Sequence, residues 1–332
     1  MILGHDRAVE AFASAWASRK LHHAWLLAGP KGVGKASFAK AAARRVLAEA
    51  AGPSFELPGV ESPGDHPIVK LVEAGSHPDM RWLERLVNDK TGNLARNIKV
   101  EQVRELGEFM AMTAALSPWR VAVIDTIDEL ERSAANALLK MLEEPPDNTL
   151  FFLVSHAPGR LLPTIRSRCR RLDFTNLDDD AMTSILEAQA PALTSAQRQQ
   201  ITAMSNGSAG RALAFADLDL AKVENAAMAI LREGDPTNAR RSELAIELGR
   251  KGAADRYAAF LELAPSLIAR EARNLRGAPL ERALGAYAKA RELAAVAPRV
   301  SLDPSATVFQ IGGILAEVAK ATTTHHRCGP DV

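Results

Sequence analysis

The chain has 332 residues, of which 47% are hydrophobic and 24% are charged. This length is enough for two or three domains, and a single hydrophobic core is the less favoured arrangement. The 41 Lys and Arg side chains are balanced by 40 Asp and Glu, which leaves a formal net charge of +1. Such a balance excludes a global positive field for gripping DNA or an anionic membrane surface.

The cysteine content indicates a reducing compartment, and the hydropathy indicates that the chain has no membrane span. The two cysteines, Cys169 and Cys328, are far apart in sequence, which argues against a disulfide framework and against an all-cysteine zinc module. No apolar run approaches the roughly 20 residues that a membrane span needs. We therefore expect a cytoplasmic protein that is neither exported nor anchored.

Hydrophobic periodicity predicts alternating helices and strands in the first half of the chain. In chain order these are a helix at 6–18, a strand at 23–29, an alanine-rich helix at 35–50, a strand at 79–85, a helix at 98–114, a strand at 119–125, a helix at 134–146 and a strand at 149–158. Between the second helix and the second strand, residues 51–67 are rich in Pro and Gly and predict a surface excursion. This alternation predicts an α/β domain with a doubly wound parallel sheet over residues 1–172.

Beyond residue 172 every periodic segment is helical. We predict a small helical unit at 173–220, a larger helical unit at 221–325 and a disordered tail at 326–332. The expected fold is thus α/β followed by all-α.

The stretch "GPKGVGKAS" at residues 29–37 follows the first predicted strand and opens a helix. Strand, glycine loop and helix together are the setting in which a loop binds phosphate through its backbone N–H groups and a lysine. The residues that match this pattern are Gly29, Pro30, Lys31, Gly32, Val33, Gly34 and Lys35. Ala36 departs from this pattern, because a Ser or Thr hydroxyl normally holds Mg²⁺ at that position. Ser37 is a poor substitute, because it lies about 100° further around the helix axis.

A second departure lies at the end of the strand at 119–125. Asp125 stands where an acid holds Mg²⁺ in an active ATPase of this type, but Thr126 replaces the Glu that would activate water. Asp128 and Glu129 are better explained as solvated acids at a helix start than as a displaced base. The losses at positions 36 and 126 are independent, and together they predict that ATP hydrolysis is absent.

Four arginines fall within "PTIRSRCRRL", at residues 163–172. An arginine fork suits a phosphate oxygen and can be supplied across a subunit interface, but a solvated basic loop explains the cluster equally well. Cys169 lies inside the same segment, and we interpret it as a small buried hydrophobic residue rather than as a nucleophile. The histidines are scattered without metal-ligand spacing, so no zinc or other metal site is predicted.

With these residues established, the chain resembles the delta prime family of bacterial DNA polymerase III clamp-loader subunits, within the AAA+ proteins. The resemblance covers about residues 22–213. Its motifs, in order, are "HAWLLAGPKGVGK", "SHPDMRWL", "IKVEQVREL", "NALLKMLEEPPDNTLFFLVSHAP", "LLPTIRSRC" and "GSAGRAL". It implies an AAA+ sheet domain, a helical lid at 173–220 and a helical collar for oligomerisation at 221–325.

The resemblance also implies residue roles. Arg168, in the Ser-Arg-Cys motif, is implied to be an arginine finger that acts in trans on a neighbour's ATP. Lys35 is implied to be a vestigial phosphate-loop lysine and Asp125 the remnant of the metal-binding strand end. Arg211, in "GSAGRAL", falls where a lid carries a phosphate-sensing arginine.

The implied function is that of a structural, ATPase-deficient subunit. Its partners would be the ATPase motor and clamp-opening subunits of a pentameric loader, and through them the sliding clamp and primed DNA, with no membrane. The alternative is an active AAA+ motor subunit of the same loader. No cofactor is required, weak ATP or ADP binding without hydrolysis stays open, and the family's four-cysteine zinc module is absent because residues 36–124 contain no cysteine.

Overall fold

The structure is a computed structural model that describes residues 2–87, 94–218 and 220–323. The chain divides into two compact units, the first comprising residues up to 185 together with 206–210, and the second comprising 186–205 and the residues from 211 onward. The boundaries at 172 and 220 stay predictions. The predicted disordered tail at 326–332 lies outside the described residues.

The first unit contains a five-stranded sheet in which all neighbouring strands are parallel. Its order is β2-β3-β4-β1-β5, with β1 Ala24–Ala28, β2 Met80–Leu83, β3 Arg120–Asp125, β4 Thr149–Ser155 and β5 Arg170–Asp173. Parallel neighbours require crossovers, which the intervening helices supply. The predicted doubly wound sheet is therefore confirmed.

Helices cover both faces of this sheet and make up the regular secondary structure of the described residues that follow it. They are α1 Asp6–Ala17, α2 Lys35–Ala51, α3 Pro67–Glu73, α4 Val100–Ala111, α5 Arg132–Glu143, α6 Pro163–Arg166, α7 Asp179–Gln189, α8 Ser195–Ser205, α9 Ala209–Leu218, α10 Ala221–Glu233, α11 Ala239–Leu248, α12 Ala254–Ala272, α13 Gly277–Val296 and α14 Pro304–Thr323. Short 3-10 helices occupy Ile127–Glu129 and Pro158–Arg160.

Alternate residues of the strands build the two apolar layers, because successive side chains of a strand point to opposite faces. On one face Trp25 and Phe152 pack with Phe12 and Phe38 of α1 and α2. On the other face, a second buried cluster joins strand residues to α4, α5 and α6. Strands that are buried on both faces have continuous apolar sequences, which explains the apolar runs of β3 and β4.

A buried carboxylate fixes the chain where it enters β3. Asp79 accepts hydrogen bonds from the backbone N–H groups of Ala115 (2.6 Å), Leu116 (2.7 Å) and Ser117 (2.9 Å). Burial alone would raise the pKa of Asp79, but these hydrogen bonds hold it below its ordinary value. The acid of the "SHPDMRWL" motif thus has a structural task in joining β2 to the turn before β3.

In the described residues of the second unit, all of the assigned secondary-structure elements are helices, joined by short turns. The buried Glu224 of α10 ties two other helices to it, through Arg270 of α12 (3.1 Å) and Gln200 of α8 (3.2 Å). Asp235 accepts from the backbone N–H groups of Arg240 and Arg241 and so caps the start of α11. Among the described residues of both units, none of the helices has the length and apolar content needed to cross a bilayer.

Candidate functional site

The loop of residues 29–35, which has the sequence pattern of a phosphate-binding loop and is called the phosphate-like loop below, lies at the carboxyl end of β1, before the first turn of α2. β1 is flanked by β4 and β5, and the Gly29 N–H donates to the Ser155 carbonyl of β4 (3.2 Å). Gly32 and Gly34 adopt backbone φ values of 79° and 105°, which residues with a Cβ rarely adopt. The loop therefore presents its backbone at a helix N-terminus, the geometry that favours anions.

The loop is held by the chain's own hydrogen bonds. The carbonyl groups of residues 29–34 all accept: Gly29 and Pro30 from Lys35 Nζ, Lys31 from Ser208 Oγ (3.1 Å), Gly32 from the Gly210 N–H (2.8 Å), Val33 from His5 Nε2 (2.7 Å) and Gly34 from the Phe38 N–H (2.9 Å). The segment 206–210 and the start of α1 thus clamp the loop from two sides. None of the residues at these two positions was assigned to the site from sequence.

His5 is one of these clamps. It is 6% exposed, and its ring packs edge-on against Phe174 with centroids 4.7 Å apart. A carbonyl only accepts, so Nε2 carries the hydrogen that binds Val33. Burial lowers the pKa of His5, while the hydrogen bond to Val33 opposes that shift. His5 is therefore a neutral donor that fixes the loop.

Lys35 is buried, with 3% of its surface exposed. Its ammonium group donates to the carbonyl of Gly29 at 2.7 Å and also to that of Pro30. Burial lowers the pKa of Lys35 to about 8, against the opposing charges of Asp125 and Asp128. The lysine that would meet a polyphosphate is thus bound to its own loop.

Two positions near Lys35 depart from the pattern of a magnesium–nucleotide site. Ala36 has no ligand atom, and Ser37 is exposed on the helix surface. Asp125 lies at the end of β3 with its pKa raised by burial, and Thr126 Oγ1 donates to its Oδ1 at 3.2 Å. A hydroxyl at position 126 is no base for water at neutral pH. Positions 36 and 126 thus supply neither a metal-binding hydroxyl nor a carboxylate base.

Asp128 and Glu129 lie in the first turn of a short 3-10 helix, as predicted, but the expectation that they are merely solvated is wrong. Asp128 accepts from Ser155 Oγ (2.8 Å) and from the His156 N–H (2.5 Å), which ties the 3-10 helix Ile127–Glu129 to the end of β4. Glu129 pairs with Arg85 at 2.8 Å, and burial raises its pKa. Both carboxylates thus have bonded partners within the chain.

His156 follows β4 and lies beside this acidic end. Its Nε2 is 3.3 Å from Thr126 Oγ1. Burial, reinforced by the charge of Lys35, lowers the pKa of His156 to about 4. The ring is therefore neutral at physiological pH. From the sequence alone, His156 is one of the scattered histidines, because the residues around it in the fold are distant in sequence.

In the structure, Arg168 has different partners from the other arginines of residues 163–172. Its Nη1 donates to the Thr164 carbonyl (2.9 Å), and its Nη2 lies 2.8 Å from Glu143 Oε1, at the end of α5. Arg171 instead pairs with Asp173 two residues away. Among the ion pairs described for this cluster, the pair of Arg168 is thus the one that connects the segment to α5.

Two further predicted residues have clear surroundings. Cys169 packs half-buried against the second apolar cluster, and burial raises the pKa of its thiol to about 12, as expected for an unreactive side chain. Arg211 belongs to the second unit, where its Nε lies 4.0 Å from a Glu262 oxygen. Its phosphate-sensing role stays a prediction.

Metal-binding side chains are dispersed in the described ranges. No group of three or more His, Cys, Asp or Glu there could hold a metal ion.

The sequence of the chain is similar to those of several DNA polymerase III subunits. The DNA polymerase III subunit delta' of Pseudomonas aeruginosa is 38% identical over 161 residues, 48% of this chain and 45% of that protein. The DNA polymerase III subunit tau of Bacillus subtilis is 28% identical over 272 residues, 79% of this chain and 45% of that protein. The chain thus spans about half the length of the curated relatives it matches.

A solved structure of a DNA polymerase III gamma subunit-related protein from Thermotoga maritima covers 94% of this chain and 99% of its own, with 16% identity and a TM-score of 0.44. The family model described as DNA polymerase III, delta subunit, matches residues 4–178. That stretch is more than half of the 332 residues and runs from the start of α1 through the phosphate-like loop, the acidic strand and Arg168. This protein is accordingly a member of the DNA polymerase III delta subunit family.

Proposed function

We propose that this chain is a structural, non-hydrolysing subunit of the DNA polymerase III clamp loader, which helps to load the sliding clamp on primed DNA during replication. The observation that carries the proposal is the state of the loop. Lys35 binds the loop's own carbonyls, while Ala36 and Thr126 stand where the metal hydroxyl and the base would be. Family membership supplies the setting, and the delta prime assignment within it is part of the proposal.

Arg168 is the residue that acts in this proposal. It serves as an arginine finger for ATP bound by a neighbouring motor subunit, because a guanidinium stabilises the charge that develops on a transferred phosphoryl group. Residues 221–325 form the collar that joins a pentameric ring with the motor and clamp-opening subunits. The chain works in the cytoplasm, requires no cofactor or zinc for its own part, and reaches the clamp and DNA through the complex.

The first test is ATP hydrolysis by the isolated chain. We expect no turnover above a buffer control, with or without Mg²⁺, because the metal hydroxyl and the base are both missing. Turnover of about 1 per second or faster, in the range of ordinary enzymes, would overturn the proposal. It would favour the active motor subunit, the alternative that the match to subunit tau over 79% of this chain keeps in view.

The second test addresses the finger in the assembled loader. Arg168→Ala should lower ATP hydrolysis while the complex still assembles, because the side chain is partly exposed and its removal leaves the apolar core intact. Arg166→Ala is the matched control, since this exposed arginine lies two residues away. Unchanged hydrolysis with Arg168→Ala, or equal losses in both variants, would refute the assignment of Arg168.

A further inference from the structure

The guanidinium of Arg168 is held through both of its terminal nitrogens. Its Nη1 donates to the Thr164 carbonyl (2.9 Å), within the turn that precedes it, and more weakly to Ser167 Oγ (3.5 Å), and its Nη2 pairs with Glu143 Oε1 (2.8 Å) at the end of α5. Partners on both terminal nitrogens define the plane of a rigid fork. Glu143 therefore sets an orientation that the local contacts on Nη1 alone would leave free to rotate.

The position of Glu143 is unfavourable for its own helix. It is the last residue of α5, where the helix dipole disfavours a carboxylate, and Pro145 prevents the helix from continuing. Glu144, the next residue, is exposed like Glu143 and shares this disadvantage, but no ion pair within the described residues involves it. A side chain that breaks a local rule and is matched to a partner is expected at functional positions.

The pair itself contributes little to stability. The side chains of Arg168 and Glu143 are 34% and 48% exposed, and water screens ion pairs at such positions. Their backbones, in contrast, are firmly anchored, because Leu142 and Ile165 are buried in one apolar cluster. The anchored backbones and the exposed pair together favour orientation over stability as the role of Glu143.

The guanidinium keeps donors for another molecule. An arginine carries five N–H groups in a planar fork, and the ion pair and the Thr164 contact lie on its two terminal nitrogens. An acceptor on a neighbouring subunit can therefore be bound without breaking the contact to Glu143.

We propose that Glu143 is the positioning residue of Arg168, and that it aims the guanidinium at a phosphate oxygen of ATP held by the adjacent subunit. This inference rests on the proposed function. Without Glu143 the long arginine side chain samples more rotamers, and a misplacement of about 1 Å is enough to slow a reaction by up to about 100-fold. We expect a loss on the order of 10-fold at the site that Arg168 serves.

The test uses the assembled loader and single-turnover hydrolysis of ATP, in which a slowed site gives a separate slow phase. The variants are Glu143→Ala, Glu143→Gln, Glu144→Ala, Arg168→Ala and the double variant Glu143→Ala/Arg168→Ala. Glu143→Ala should give a slow phase about 10-fold slower than the main phase. Glu143→Gln should give a smaller loss, because its amide oxygen still accepts, and Glu144→Ala should match the wild type. Thermal unfolding of the variants should stay unchanged.

The double variant separates positioning from a general structural effect. If Glu143 acts through Arg168, the double variant hydrolyses ATP no more slowly than Arg168→Ala alone. A slower double variant, a normal Glu143→Ala, or a Glu144→Ala that is equally slow would overturn the inference while the finger stands. A normal Arg168→Ala would overturn the finger itself and the inference with it. If Glu143→Ala does not assemble, the same comparisons are made with Glu143→Gln.

Discussion

Replacing the buried lysine of the loop, as in Lys35→Met, should change how stability depends on pH. Methionine keeps a long apolar stem and removes the charge. In the folded chain burial lowers the pKa of Lys35 from 10.5 to about 8, so the unfolded chain binds this proton more tightly than the folded chain. By linkage, charged Lys35 opposes folding at neutral pH, and that opposition declines as the pH rises from about 8 towards 10.5.

The magnitude follows from the two pKa values. The difference between a pKa of 10.5 in the unfolded chain and one of about 8 in the folded chain corresponds to roughly 3 kcal/mol when both states are protonated. Between about pH 7 and pH 9 the folded chain loses the proton while the unfolded chain retains it, which releases about 1 kcal/mol of the opposition. The free energy of unfolding of wild type minus that of Lys35→Met should therefore rise by about 1 kcal/mol over this interval.

Urea unfolding followed by tryptophan fluorescence measures this difference in the relevant unit, because all four tryptophans lie within the first unit. Cys169, whose pKa is raised to about 12 by burial, has the opposite dependence on pH but is present in both proteins and cancels. Lys70→Met, at an exposed lysine of α3, is the control and should follow the wild-type profile. Parallel pH profiles for wild type and Lys35→Met would refute the reasoning.

Three further outcomes concern packing and reactivity. Gly32→Ala should destabilise the first unit by about 2–3 kcal/mol in urea unfolding, because the residue has a φ of 79° and its new carbon would lie 2.3 Å from a serine hydroxyl. Gly64→Ala, with no atom within 4 Å, should change stability by less than about 0.5 kcal/mol. Asp79→Ala should cost about 2–4 kcal/mol, since three backbone N–H groups lose their acceptor. In a Cys328→Ser chain, Cys169 should react with a thiol reagent at about pH 8 only after unfolding, because its folded thiolate fraction is minute.

The alternation of strands and helices could be read from sequence because each element carries its own period. The apolar runs of β3 and β4 and the helical spacing of α1 are local patterns, and the structure has these elements close to the predicted positions. The division of the chain into units is different. Residues 206–210 return to the loop through bonds such as that of Ser208 to Lys31, 177 positions earlier, and no local pattern specifies such a contact.

The site shows the same limit. Lys35 and Ala36 could be interpreted from sequence because adjacent positions define the loop motif. Asp128 could not, because its donors come from residues 155 and 156, on and just after β4, and a run of acids after a strand looks the same whether it is solvated or bonded. The partner of Arg168 was missed for the same reason, since Glu143 belongs to a different motif.

The glycine pattern of the loop has a packing explanation that is independent of nucleotide chemistry. A Cβ at Gly29 would lie 2.2 Å from the Phe174 carbonyl oxygen, and one at Gly32 would lie 2.3 Å from Ser208 Oγ. Both contacts belong to the folded chain itself, so these glycines are required whether or not ATP is hydrolysed. No such constraint acts on a hydroxyl at position 36, because the loop carbonyls are already satisfied by other groups. A chain can therefore lose the catalytic groups and keep the loop, and the presence of the loop motif is by itself no argument for hydrolysis.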